Sequence, residues 1–174
     1  MKIFFLGFVA AFIVLPIAIL GYFRLGLAEI RSDTNPPAWE SRLMRSAVHA
    51  SVRRSADGIQ VPHNENVDDS IAQGGILYLR GCAGCHGEPG KPGEDLDHYP
   101  RVPQLPQTGT QYSEPELYWI VKHGIRHTAM SAYGPFYSEK ELWAIASFLR
   151  RINNLPPGML DRIQPNKAPG GAKD

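Results

Sequence analysis

Cys82-Ala83-Gly84-Cys85-His86 decides how this chain is read. C-x-x-C-H is the spacing that attaches a c-type haem. Its two thiols add across the porphyrin vinyl groups, and the histidine behind the second cysteine is placed under the iron as the proximal ligand. The competing uses of paired cysteines fit poorly. A structural zinc site takes four protein ligands, and the chain has only two cysteines. A thioredoxin-like redox pair belongs beside a β-α-β pattern that is not visible here, and a disulfide across two residues would be strained. The sequence therefore implies one covalently bound haem c, attached through Cys82 and Cys85, with His86 as its proximal iron ligand.

Length and composition agree with one folded domain carrying appendages. The chain is 43% hydrophobic and 20% charged, as in ordinary folded proteins, and its formal net charge of +1 gives no case for nucleic acid or an acidic substrate. The charge is uneven. Glu65 to Leu155 holds eleven acidic against eight basic residues, whereas Trp39 to Arg54 holds four arginines against Glu40.

Upstream, Ile3 to Phe23 carries no charge and is bounded by Lys2 and Arg24. As a helix it would be roughly 31 Å long, the thickness of a bilayer's hydrocarbon core. Residues 1–24 are therefore expected to be a transmembrane anchor, entering the bilayer through residues 3–23. A cleaved signal sequence is the alternative. Residues 25–69 form a juxtamembrane region. Within it Trp39 to Arg54 is predicted helical, with Trp39, Leu43, Ala47 and Ala50 along one side among Arg42, Arg45, Arg53 and Arg54. Such a helix suits anionic headgroups, the haem domain, a partner subunit or plain solvent. Ser55 to Asp69 reads as a polar linker.

Residues 70–155 form the haem domain. A helix over Ser70 to Arg80 delivers the motif, and the pair Gly74-Gly75 inside it implies close approach of another helix. Ser113-Glu114-Pro115-Glu116 and Ser138-Glu139-Lys140-Glu141 are capping boxes that open two further helices. Gly124 is the expected stop of the first. The second carries Leu142, Trp143, Ile145, Ala146 and Leu149, ends at Arg150 and Arg151, and should cross the first helix at the glycine pair beside Tyr78, with Trp143 or Phe148 nearby. Gly87 to Tyr112 has no period and is expected to cover one haem face. Residues 156–174 are rich in proline and glycine and read as a disordered tail.

From Ser70 to Leu155 these features resemble a class I cytochrome c of the small single-haem type found in cytochrome subunits of bacterial respiratory complexes. The resemblance rests on Gly74, Gly75 and Tyr78 ahead of the C-x-x-C-H run, on His123-Gly124-Ile125-Arg126-His127-Thr128-Ala129-Met130-Ser131-Ala132-Tyr133, and on the aromatic terminal helix. It implies an all-α cytochrome c fold with Met130 as the distal axial ligand. The family commonly has proline straight after this methionine, where this chain has Ser131. Position agrees, because Met1, Met44 and Met159 lie outside the two flanking helices. His127 is the alternative ligand, His123 a helix-terminal residue, and His49, His63 and His98 solvated. Arg101, Arg126, Trp119 and Tyr133 are candidates for propionate contacts or haem packing.

With both axial positions filled, the chain is expected to carry electrons rather than act as an enzyme, and no small-molecule substrate is expected. Its partners would be redox proteins in or on the same membrane, respiratory or dehydrogenase components. Haem attachment on the outer side implies the bacterial inner membrane, spanned once, with the haem domain facing the periplasm. A haem-bearing subunit of a larger oxidoreductase is one alternative. A haem enzyme or gas sensor with a displaceable ligand is another.

Overall fold

The computed structural model describes residues 2–31, 34–94 and 100–164, without the side chains of residues 2–6, 8 and 9. Among the described residues it is helical, with no strand beyond an isolated bridge between Glu88 and Lys91. It divides into two compact units, Met1–Thr34 and Asn35–Asp174.

The first unit is α1, Lys2–Arg24. Pro16 lies inside it. The helix stops at Gly26, whose positive φ of 68° lets Leu27 N–H reach the Tyr22 carbonyl at 3.1 Å and Gly26 N–H reach that of Phe23 at 3.1 Å. Phe12, Ile13, Leu15, Ile17 and Leu20 are all exposed. Among the described residues no helix is long and apolar enough to cross a membrane.

The second unit is built on α3 (Val67–Gly81), α6 (Glu114–His123) and α7 (Glu139–Leu149), with α2 (Ala38–Ala56), the single turns α4 (Ala83–His86) and α5 (Leu105–Thr108), and α8 (Met159–Ile163) packed around them. Both capping boxes form. Glu116 accepts from Ser113 N–H at 2.6 Å, and Glu141 accepts from Ser138 N–H at 2.8 Å, satisfying donors that a helix start leaves unpaired. Pro115 sits harmlessly in the first turn of α6, where its missing N–H would have no partner.

The glycine pair marks the crossing of α3 and α7, as expected. A methyl on Gly74 would run into the backbone carbonyl of Ala144. One on Gly75 would come within 2.6 Å of Ile163 Cγ2 and 3.0 Å of the Phe148 ring. Phe148 is the aromatic beside Tyr78, with ring centroids 5.2 Å apart, and both are fully buried. Trp143 instead stacks on Tyr118 of α6, the ring centroids 4.2 Å apart. Ser147 donates to the Glu114 carboxylate and so ties α7 to the start of α6.

The boundaries differ from expectation in three places. Residues 156–174 are not wholly a disordered tail: Pro156 to Gln164 turns back to form α8, which buries Met159 and Ile163 in the core. Two apolar residues four apart are too few to show as a sequence period, and residues 165–174 lie outside the described ones. The linker is shorter than Ser55–Asp69, because α2 continues to Ala56 and α3 begins at Val67, and Ile59 between them packs on the core. Finally, α2 is a docked part of the domain. Val52 and Ala56 are buried, and Arg53 approaches Glu116 of α6 at 3.9 Å.

Candidate haem site

The attachment motif begins where α3 ends. Cys82 leaves helical geometry, with φ −124°, and its carbonyl accepts from His86 N–H at 2.9 Å, so α4 restarts as one tight turn. This break sends the two thiols into different surroundings. Cys82 is half-buried against the core, Cys85 is exposed, and the sulfurs are not joined to each other. Burial pushes the Cys82 thiol up to about 11, with Cys85 adding to the rise. Beneath the turn, the Tyr78 hydroxyl donates to the Gly87 carbonyl at 2.6 Å and fixes the end of α4 to the core.

His86 is held by one specific bond: its Nδ1 lies 2.9 Å from the carbonyl of Pro103. A carbonyl only accepts, so Nδ1 carries the proton and Nε2 keeps its lone pair. Burial lowers the pKa of His86, although the Pro103 bond opposes it, and the ring is therefore neutral near pH 7. A neutral imidazole with Nδ1 occupied by a carbonyl is the form that offers Nε2 to a metal. Gln104 locks the same stretch. Its Oε1 accepts from Gly93 N–H at 2.7 Å and its Nε2 donates to the Cys85 carbonyl at 3.1 Å. The irregular segment after the motif thus returns to support the histidine, while residues 95–99, including His98, lie outside the described residues.

Neither Pro103 nor Gln104 was expected from the sequence. A backbone carbonyl has no side-chain signature, and a lone glutamine among prolines does not reveal its partners.

Met130 stands at the opposite end of a compact turn. Gly124 ends α6 with φ 67°, and a side chain there would strike the Met130 carbonyl at 2.6 Å. That carbonyl accepts from Ile125 N–H at 3.0 Å. Thr128 Oγ1 accepts from Met130 N–H at 3.0 Å and donates to the Ile125 carbonyl at 2.7 Å. Behind it, Tyr133 and Gly134 N–H bond the Val121 and Lys122 carbonyls, each at 3.0 Å. The methionine is half-buried.

The two halves meet through Tyr133. Its hydroxyl donates to the Gly81 carbonyl at 3.1 Å, immediately before Cys82. Its pKa is raised by burial first and then by the proximity of Cys82, Tyr137 and Cys85. Two free thiols, a histidine with Nε2 available and a methionine loop fastened beside them fit a covalently attached haem.

Residues 69–149 match the family described as cytochrome C oxidase, cbb3-type, subunit III. This segment is a c-type cytochrome domain. No curated protein and no solved structure matches the chain. The cytochrome domain carries covalently bound c-type haem, with Cys82 and Cys85 in the attachment motif, and serves electron transfer with redox protein partners.

The other candidate residues divide. Within the cytochrome domain His127 is exposed and held at φ 60°, an uncommon conformation for a non-glycine residue. His123 is exposed in the last turn of α6 with its ring 5.1 Å from that of Trp119, which is half-buried. Arg126 and Arg101 are exposed. His63 is exposed, as expected, but His49 is not simply solvated: it packs on the Tyr112 ring at 5.0 Å and bonds Gln111 at 2.9 Å, because α2 is docked there.

Proposed function

We propose that the chain is a membrane-tethered, single-haem electron carrier in which His86 and Met130 would hold the haem iron. The observation carrying this reading is the Nδ1 bond from His86 to the Pro103 carbonyl, which leaves Nε2 for iron. The Gly124 to Tyr133 turn supports Met130 as the second ligand, since its internal bonds and the Tyr133–Gly81 bond hold it next to the attachment motif.

When bound, the haem supplies one-electron chemistry. The polypeptide's part is to hold the group and keep water from it. Cys82 and Cys85 provide covalent attachment. His86 is oriented by Pro103, and that carbonyl's attraction for the Nδ1 proton makes the imidazole a stronger donor through Nε2. With Met130 as well as His86 to hold it, the haem would have a higher potential than with two histidines. No side chain is required as acid, base or nucleophile.

The tether is residues 3–23, and the cytochrome domain faces the periplasm from the bacterial inner membrane. Support comes from the charge-free run itself and from α1 being a continuous helix with exposed apolar side chains around its circumference, as in a lipid-facing helix. Its partners would be respiratory or dehydrogenase proteins of that membrane. Work as a subunit of a larger oxidoreductase is the second reading, favoured by the oxidase-subunit family matched over residues 69–149.

One optical experiment tests the carrier reading. The reduced protein should give a low-spin haem c spectrum that carbon monoxide leaves unchanged. A spectrum shifted by carbon monoxide would reveal an open or weakly held axial position and favour an enzyme or gas sensor. Mild-detergent purification separates a free carrier from a complex subunit by whether other chains remain bound.

A further inference from the structure

The docking of α2 leaves its other side unexplained. Val52 and Ala56 are buried on the domain, and His49 lies on Tyr112. At about 100° per residue, Trp39, Leu43, Ala47 and Ala50 lie on the opposite face. Trp39 is 66% exposed and Leu43 55%. A helix whose one face is satisfied by tertiary packing has no folding reason to present tryptophan and leucine to water on the other.

Charge identifies what this face suits. At the same spacing Arg42 and Arg53 flank it on one side, Arg54 lies within it toward the C-terminal end, and Glu40, the sole carboxylate between residues 39 and 54, borders the other side. Among the described residues Arg42 and Arg54 make no ion pair, and the contact of Arg53 with Glu116 leaves its side chain 77% exposed. The rest of the domain is acidic on balance, so these arginines concentrate positive charge around one apolar strip. Tryptophan and leucine with arginine along one flank and within the strip is the composition of a helix lying in an anionic bilayer surface. The chain also keeps it close: the connector between Arg24 and Ala38 extends roughly 45 Å at most.

We propose that the outward face of α2 docks on anionic phospholipid headgroups, with Trp39 and Leu43 entering the headgroup–acyl boundary and Arg42 and Arg54 meeting lipid phosphates. This rests on the membrane reading above, and it adds that the domain is held against the bilayer surface in a set orientation rather than swinging on a free tether.

The test uses the full haem-loaded chain in vesicles of phosphatidylcholine with phosphatidylglycerol, and in phosphatidylcholine alone, each with and without brominated acyl chains. Trp39 emission is taken as the difference between wild type and Trp39→Phe. The expected result is loss of that emission in brominated phosphatidylglycerol vesicles, much weaker loss in phosphatidylcholine, and recovery in Arg42→Glu/Arg54→Glu with an unaltered haem spectrum. Emission equal in brominated and plain vesicles overturns the docking, including where a protein partner covers the strip instead. Retention through alkaline carbonate washing reads the anchor separately. A retained chain with unquenched Trp39 sinks the docking alone, whereas a washed-off chain with quenched Trp39 sinks the anchor alone.

Discussion

The Tyr133 hydroxyl donates to the Gly81 carbonyl at 3.1 Å, fastening the loop behind Met130 to the residue before Cys82. The bond joins positions 52 residues apart in the sequence, the end of α3 and the loop that carries Met130. Tyr133→Phe removes the donor and little else, at a cost of about 1 kcal/mol. The sulfur-to-ferric-iron charge-transfer band should then disappear at lower pH or lower denaturant than in wild type. An unchanged titration would show that the methionine loop is held without this bond.

Met130→Ala should abolish that band and lower the midpoint potential, since methionine ligation raises it. His127→Ala should leave both untouched. The reverse pattern would make the exposed His127 the ligand. Absorbance and potentiometric titration of the two variants decide between them.

Gln104→Leu takes away two bonds that hold the 103–104 backbone to Gly93 and Cys85. A stability loss of about 1 kcal/mol is expected from the two hydrogen bonds lost, one part-buried and one at the exposed Cys85. A loosened Pro103 carbonyl also weakens the Nδ1 interaction, reducing donation from His86 and raising the midpoint potential. Stability loss without a shift in potential would confine Gln104 to a folding role.

The short C-terminal helix gives a paired prediction. Met159→Ala should cost about 2–5 kcal/mol, because the side chain is fully enclosed in the core. Leu160→Ala, one residue on and exposed, should cost within about 0.5 kcal/mol. Urea midpoints for the two variants measure the difference.

Lys122 meets Glu139 at 2.5 Å, with the Tyr118 hydroxyl donating to the same carboxylate. Lys122 first and Tyr118 second hold the Glu139 carboxyl below the usual range, while the bond to Glu139 holds Lys122 above its own. The carboxylate's contribution is present above the ordinary glutamate range and fades as pH falls through its depressed value. That of the ammonium is present below the ordinary lysine range and fades as pH rises through its raised value. Glu139→Gln should therefore cost about 0.5 kcal/mol at neutral pH, a small amount because the pair is solvated, and almost nothing in acid. Denaturation curves at both pH values check this.

Much of the architecture was legible because its causes are local. The capping boxes at Ser113 and Ser138 need partners only three residues away, so spacing alone announced α6 and α7. The glycine pair announced the α3–α7 crossing because a helix tolerates adjacent glycines where another backbone must come close. Other features had no such mark. The stripe from Trp39 to Ala50 was the most apolar line on α2, yet the helix packs through Val52, Ala56 and His49. Their complement, on α6 and at Gln111 and Tyr112 just before it, exists only once that part of the chain is in place.

The sequence by itself determined the attachment chemistry and the place of Met130 in the chain. Two thiols and an imidazole within one turn can reach one macrocycle whatever surrounds them. Only the tertiary structure decided how the histidine is oriented, which face of α2 is buried and where the C-terminal segment goes. Each depends on a group that carries no sequence identity, such as the Pro103 carbonyl, or on apolar surface that is recognised only when its partner folds against it.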